Sequence, residues 1–324
     1  MKVAIVGATG VTGGSIVNGL SESETQFEIT ALIRPSSIDK PAVNTLREKG
    51  VKIVSVDLQG PQADLVAALD GIDVVISAIY YQSLGDEIPL SNASKAAGVK
   101  RYVPCFFATI APRGVMRAND QVDITMGNEA FTDDLQKEEI LDHIQRLYLP
   151  YTVINVGWWY QITLPRVPSG KLDHGLTFPN NNIIAGGNIP SALVNVHDVG
   201  KYVAAIISDP RTINKKVLAH TETKTQNEVH ALVEKVTGEK PERTDMSKEQ
   251  LEEQLVAFKD TSEISQNRAI LEYWMSWGVR GDNTPENAVY LGYLLASDLY
   301  PSLRGGSLES FIQDVFDGKG ESVY

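Results

Sequence analysis

The run KVAIVGATGVTGGSIVNGL, residues 2–20, limits the possible folds more than any other stretch. An apolar, β-branched segment ends at Gly7, glycines recur at Gly10 and Gly13, and a helical pattern begins with no spacer. Glycines in such a cluster form either a loose linker or a tight turn around a phosphate, and the flanking elements decide between the two. In a strand–turn–helix register the first glycine permits the turn and the second lets the backbone approach a pyrophosphate. The third packs the helix on the strand. The helix N-terminus then offers its unsatisfied N–H groups to the phosphates.

The pattern that follows agrees with this beginning. Strand-like runs fall at 3–7, 28–34, 51–57, 73–79, 101–107 and 151–157, most of them rich in Val and Ile without polar alternation, as suits parallel strands covered on both faces. Amphipathic segments near 12–21, 40–49, 61–70, 86–97 and 132–147 separate them. This βαβ series predicts an α/β fold, a Rossmann-type doubly wound parallel sheet. The polar stretch 108–131 is expected to be a loop over the carboxyl edge of that sheet.

Beyond Gly157 the pattern loosens. Turns and short strands are expected over 165–193, including PNNN at 179–182, then a helix over 197–209, a strand over 215–220, and helices near 225–237, 247–259, 262–277 and 307–317. The expected plan is a nucleotide-binding domain over 1–157, with 190–220 packing back onto it. A smaller, mostly helical substrate-binding part spans 158–324.

The formal net charge of −12 is spread along the chain, which argues against a nucleic-acid partner. The single cysteine, Cys105, allows no intramolecular disulfide and no cysteine metal cluster, and it reads as a small buried residue. No apolar run approaches the roughly 20 residues of a membrane span. The first strand starts at the second residue, so no secretory leader is expected, and the expected location is cytoplasmic.

The end of the second predicted strand, ALIRPSS, bears on the cofactor. An acid at this place accepts from a ribose 2′-hydroxyl, whereas an arginine suits a 2′-phosphate. Arg34 stands there with Ser36 and Ser37 as further donors, and Asp39 lies beyond a proline, so NADPH (NADP+) is the expected cofactor. Asp57 either accepts from the adenine amino group or caps its own turn. The expected cofactor-contacting set is Gly7, Thr9, Gly10, Val11, Thr12, Gly13, Arg34, Ser36, Asp57, Ala78 and Phe106.

No YxxxK pair occurs in the chain, nor HExxH, nor GxSxG. The remaining catalytic candidate is Lys137 in FTDDLQKEEILDHIQRLYLPYTV, where Asp133 and Gln136 form a plausible capping pair for a helix ending near Leu147. A lysine serves as a general acid only if burial or nearby positive charge brings its pKa down. Leu141 shares its helical face, which suits an inward side chain, whereas His143 does not share it and is assigned a structural or solvated role.

GATGVTGG, with GxxGxxG rather than GxGxxG spacing, the IRP after strand two, RYVPCFF at strand five and a lysine shortly before PYT together resemble the NmrA-like, isoflavone-reductase-like family of atypical short-chain dehydrogenases. The resemblance covers most of residues 1–210. It implies a reductase in which Lys137 orients the cofactor and helps protonate the substrate. The family's Ser-Glu-Phe-Gly stretch reads here Cys105-Phe106-Phe107-Ala108, which implies a more apolar pocket floor and the loss of a polar relay. The family also holds dinucleotide-sensing regulators that reduce nothing. A non-redox cyclase or isomerase scaffolded by its cofactor is a third reading.

Trp158, Trp159 and Tyr160 follow strand six at the edge where open α/β sheets bind ligands. With Phe107 they form the predicted substrate wall, and Trp274 and Trp277 either oppose it or belong to the core. The expected partner is a hydrophobic small molecule, an aromatic or an alkaloid or terpenoid metabolite, whose C=C, C=N or C=O bond is reduced. The expected state is monomer or homodimer.

Overall fold

A computed structural model describes residues 1–113, 133–177, 181–257 and 266–320. The first half alternates strands and helices in the expected order: β1 (Lys2–Val6), α1 (Val11–Ser21), β2 (Glu28–Ile33), α2 (Pro41–Glu48), β3 (Lys52–Ser55), α3 (Gln62–Ala68), β4 (Val74–Ser77), α4 (Glu87–Ala96), β5 (Arg101–Val103), α5 (Asp133–Arg146) and β6 (Thr152–Asn155). Five of these strands pair in the order β3-β2-β1-β4-β5, all parallel, with Ala4 opposite Thr30 on one side and Val75 on the other. The apolar runs lack polar alternation because both faces of the sheet are covered. One face packs Val3, Ile5 and Ile76 against α1, and the other packs Ala4, Val75 and Tyr102 against α3, α4 and α5.

The sheet continues past β5. A parallel bridge between Tyr102 and Tyr151, with the Tyr102 N–H donating to the Pro150 carbonyl at 2.8 Å, joins it to β6. The strand Lys215–Leu218 pairs with β6, and Leu294–Leu295 pairs with that strand in turn, both parallel. Late segments of the chain thus complete the nucleotide-domain sheet.

The elements after β6 are β7 (Trp158–Trp159), α6 (Tyr160–Thr163), β8 (Asn182–Ile184), β9 (Ser191–Val194), α7 (Val199–Ser208), β10 (Lys215–Leu218), β11 (Glu222–Lys224), α8 (Gln226–Thr237), β12 (Thr244–Met246), α9 (Lys248–Ala257), α10 (Gln266–Tyr273), α11 (Pro285–Tyr290), β13 (Leu294–Leu295), α12 (Ala296–Leu299) and α13 (Leu308–Phe316). Helix α7 packs against α1, and a buried arginine at the start of β5 secures its C-terminal end. Arg101 donates to the Ile206 and Asp209 carbonyls at 2.8 and 3.0 Å and to Thr212 Oγ1 at 3.0 Å. Helix α8 carries a full capping box, Thr225 with Glu228, and ends at Gly238 in the left-handed region.

Two expectations are corrected. RYVPCFF supplies a strand of three residues rather than seven, since Pro104 has no N–H for the ladder and the chain then folds through tight turns, with Phe106 N–H on the Pro104 carbonyl at 2.8 Å. The helix expected to end at Trp277 instead widens into a π-helical turn over Trp274–Arg280 and closes at Gly281. Most of the 108–131 stretch, Pro179 and Asn180 of PNNN, and the side chains of the Asp133–Gln136 capping pair lie outside the described residues.

Candidate functional site

The carboxyl ends of the parallel strands bring the predicted residues to one edge. The glycine turn follows β1, Arg34 follows β2, Asp57 follows β3, Ala78 follows β4 and Cys105–Phe107 follow β5. β1 and β4 are neighbours whose onward connections leave in opposite directions, which makes the crevice between them the switch point of the sheet.

The three glycines of the turn have different duties. Gly7 has a φ of +79°, and a Cβ on it would strike the Ala78 carbonyl; one on Gly13 would strike the carbonyl of Gly7. Both are demanded by the fold. Gly10 has an ordinary φ of −81°, lies exposed, and would bring its Cβ near only the Gly7 oxygen, at 3.3 Å. Its missing side chain therefore serves what approaches the turn from outside. No side chain caps α1 and no acid sits in its first turn, so the amides of Val11, Thr12 and Gly13 face an anion without competition. Thr9 is exposed and Val11 and Thr12 are half-buried around that opening. A dinucleotide pyrophosphate fits this arrangement.

Arg34 is exposed beside the exposed Ser36, and its Nε donates to Ser37 Oγ at 3.2 Å. That hydrogen bond leaves most of the guanidinium's donors for a phosphate. Asp57 caps its own turn: its Oδ1 accepts from the Gln59 N–H and its carbonyl from the Gly60 N–H, both at 3.0 Å.

Lys137 lies in the second turn of α5 and is only 6% exposed, with Leu141 buried on the same face. Its charge acts on a buried carboxyl that no motif singles out. Glu87, the first residue of α4, is 1% exposed; its Oε1 accepts from the Cys105 N–H at 3.0 Å and its Oε2 from the Tyr102 hydroxyl at 2.9 Å. Burial pushes the Glu87 carboxyl up to about 7, against the lowering influence of these two donors and of the Lys137 ammonium. Burial, with the Glu87 charge second, holds the Tyr102 phenol far above its ordinary value. Helix α5 is fixed to α4 by His143 Nε2 and Asn92 Oδ1 at 2.9 Å, a structural duty for His143.

The predicted aromatic wall is divided among separate clusters. Phe107 and Trp159 pack with Ala78 on the α1 side of the sheet, next to the glycine turn. Phe106 packs under α5 with Leu141 and Val153. Trp158 turns the other way, its ring 5.4 Å from Tyr273 and 5.8 Å from Trp277, and it lines a cleft with Trp277, Thr163, Ser191, Lys224 and Gln226. Tyr160 is fully buried against Phe311 and donates to the Gly306 carbonyl at 3.2 Å, with its phenol raised by burial, so it is a core residue and a poor proton source. Cys105 is half-buried, and its Sγ–H donates to the Ile79 carbonyl at 3.3 Å.

Among the described residues no group of His, Cys, Asp and Glu is arranged to hold a metal, and no helix is long and apolar enough to cross a membrane.

The sequence pattern of the NmrA-like family matches residues 1–276. The asnovolin J 5′,6′-dehydrogenase of Aspergillus novofumigatus (strain IBT 16806) is 47% identical, over 98% of this chain and 96% of the relative. A crystal structure of isoflavone reductase superposes with a TM-score of 0.75 at 25% identity, over 97% of this chain and 98% of the other. The complex of leucoanthocyanidin reductase with NADPH from Vitis vinifera gives 0.77 at 22%, over 98% and 100%, a likeness of fold. By the span of the matched pattern and the identity shared with its fungal relative, the chain belongs to the NmrA-like family.

Proposed function

We propose that the chain is an NADP-dependent oxidoreductase that adds or removes hydrogen across a C=C, C=N or C=O bond of a hydrophobic aromatic, alkaloid or terpenoid metabolite. The observation that carries this reading is the pairing, at one sheet edge, of a glycine turn open to a dinucleotide with a buried lysine. The relative named a 5′,6′-dehydrogenase and the reductase solved with NADPH support the same chemistry. A sensor that only binds the dinucleotide has no need of a desolvated lysine beside it.

When bound, the cofactor supplies a hydride. The residues of this chain hold it and move the proton. Backbone amides of residues 9–13 and the α1 N-terminus take the pyrophosphate, and Arg34 with Ser36 takes the 2′-phosphate. Phe107 and Trp159 exclude water beside Ala78, and Lys137 gives its proton to the atom next to the one that receives hydride. The indole N–H groups of Trp158 and Trp277, at a small cleft on the C-terminal side, are buried without an acceptor among the described residues.

A panel of enones, imines, ketones and their saturated partners, incubated with NADPH or NADP+, tests this reading. Absorbance at the reduced nicotinamide band should change mole for mole with product, and NADPH should be used at least about ten-fold better than NADH, with Arg34→Ala closing most of that gap. Product formed at constant absorbance, or equal use of both cofactors, contradicts it.

A further inference from the structure

The sequence pointed to a lost polar relay at Cys105-Phe106, yet the structure places a carboxyl at that very point from a different element. Glu87 comes from α4, is almost fully buried, and has both oxygens engaged, by the Cys105 backbone and by the Tyr102 hydroxyl. A buried carboxylate needs a counter-charge. Helix α5 packs against α4 and against the turn that precedes it, and it brings buried Lys137 close enough for its charge to act on Glu87.

We propose that Glu87 is the positioning residue of Lys137: a carboxylate anchored from β5 and the turn after it, which keeps the buried lysine in its ammonium form at the edge of the sheet. The inference rests on the reading of Lys137 as the proton donor. Without a partner, a lysine buried this deeply would lose its proton near neutrality and have none to give. With one, it stays charged until it is used.

Among the described residues, the other groups around the pair are engaged elsewhere, uncharged or turned to solvent. From β4 the Ser77 hydroxyl faces the same carboxyl. On α5, Glu138 pairs with Lys216 at 3.3 Å, Glu139 is exposed, Asp142 pairs with Arg113 at 2.7 Å, and His143 bonds Asn92. Asp86, before α4, accepts from Gln59 Nε2 at 2.9 Å. Glu87 is the buried carboxyl of this neighbourhood on which the Lys137 charge acts.

The test needs no substrate. Protein grown on ¹³C-lysine is titrated by NMR, and the Lys137 Cε signal is assigned as the one missing from Lys137→Met. In Glu87→Gln, which keeps shape and hydrogen-bonding capacity, the Lys137 midpoint should fall by at least about one pH unit, a ten-fold change in proton affinity. If Glu87→Gln does not give a cooperative thermal melt, Tyr102→Phe takes its place. It retains the carboxylate but removes a donor that stabilises its ionised form, so the midpoint should move the same way by a smaller amount. An unchanged Lys137 midpoint in the folded variant overturns the proposal. The proton-donor reading fails separately, through undiminished turnover in Lys137→Met.

Discussion

Lys137→Met should cut turnover by about 100-fold or more while leaving dinucleotide affinity within a few-fold of the parent. Methionine preserves the length of a side chain that is almost fully buried, so a loss of rate reports the missing proton rather than a cavity. The variant also changes Glu87. Deprived of the ammonium, its carboxyl, already raised to about 7 by burial, should be neutral at physiological pH, so the fold is spared an unpaired buried charge. Steady-state rates and cofactor titration on the same preparation check both halves. A near-full rate would leave water as the proton source, because the hydroxyl of Tyr160 is committed to Gly306 in the core.

Gly10→Val should weaken dinucleotide binding by about 100-fold or more with little cost to the fold. Val carries its side chain into the space the phosphates need, whereas the ordinary backbone angles of Gly10 and its single near neighbour, the Gly7 oxygen at 3.3 Å, make the substitution tolerable for the protein itself. Valine is a poor helix N-cap, which accounts for a loss of about 1 kcal/mol in stability. The comparison with Gly13→Val is informative. There a Cβ meets the Gly7 carbonyl, so unfolding and loss of binding should appear together. Calorimetric titration beside a thermal melt separates the two cases. Normal binding by Gly10→Val would move the phosphate site away from this turn.

The glycine turn and the βαβ order were legible in the sequence because local and long-range demands coincide there. Six apolar runs alternate with amphipathic segments, and each forms a parallel strand of one continuous sheet. That Lys137 faces inward was legible from the apolar Leu141 four residues on, whereas its chemical role rests on the family resemblance and on the proposal above. Glu87 was not legible in this way. In the sequence it looks like any acid in the first turn of a helix, and only the approach of Cys105 and Tyr102 from β5 and its turn makes it a buried partner. Tyr102, likewise, looks like an ordinary core aromatic in an apolar strand.

The aromatic wall shows a different limit. Adjacent residues in a strand point to opposite faces, so Trp158 and Trp159 of β7 cannot line one surface together, and the tight turns after Pro104 send Phe106 and Phe107 apart. The structure separates each pair: Phe107 and Trp159 turn toward the cofactor edge with Ala78, while Phe106 goes under α5 and Trp158 into the C-terminal cleft. The strands β7, β8, β11, β12 and β13 were too short, at two or three residues each, to leave a periodic signal. Their partners come from distant parts of the chain.

The most direct measurement follows the hydrogen itself. With nicotinamide-4-deuterated NADPH and a substrate found in the panel, mass spectrometry of the product should show one deuterium at carbon for each cofactor consumed from the labelled face. With unlabelled cofactor in D₂O, the second hydrogen should come from solvent through Lys137, and Lys137→Met should slow both incorporations together. Product that forms without deuterium from the cofactor, or without loss of NADPH, would contradict the account and place the chain among non-redox enzymes.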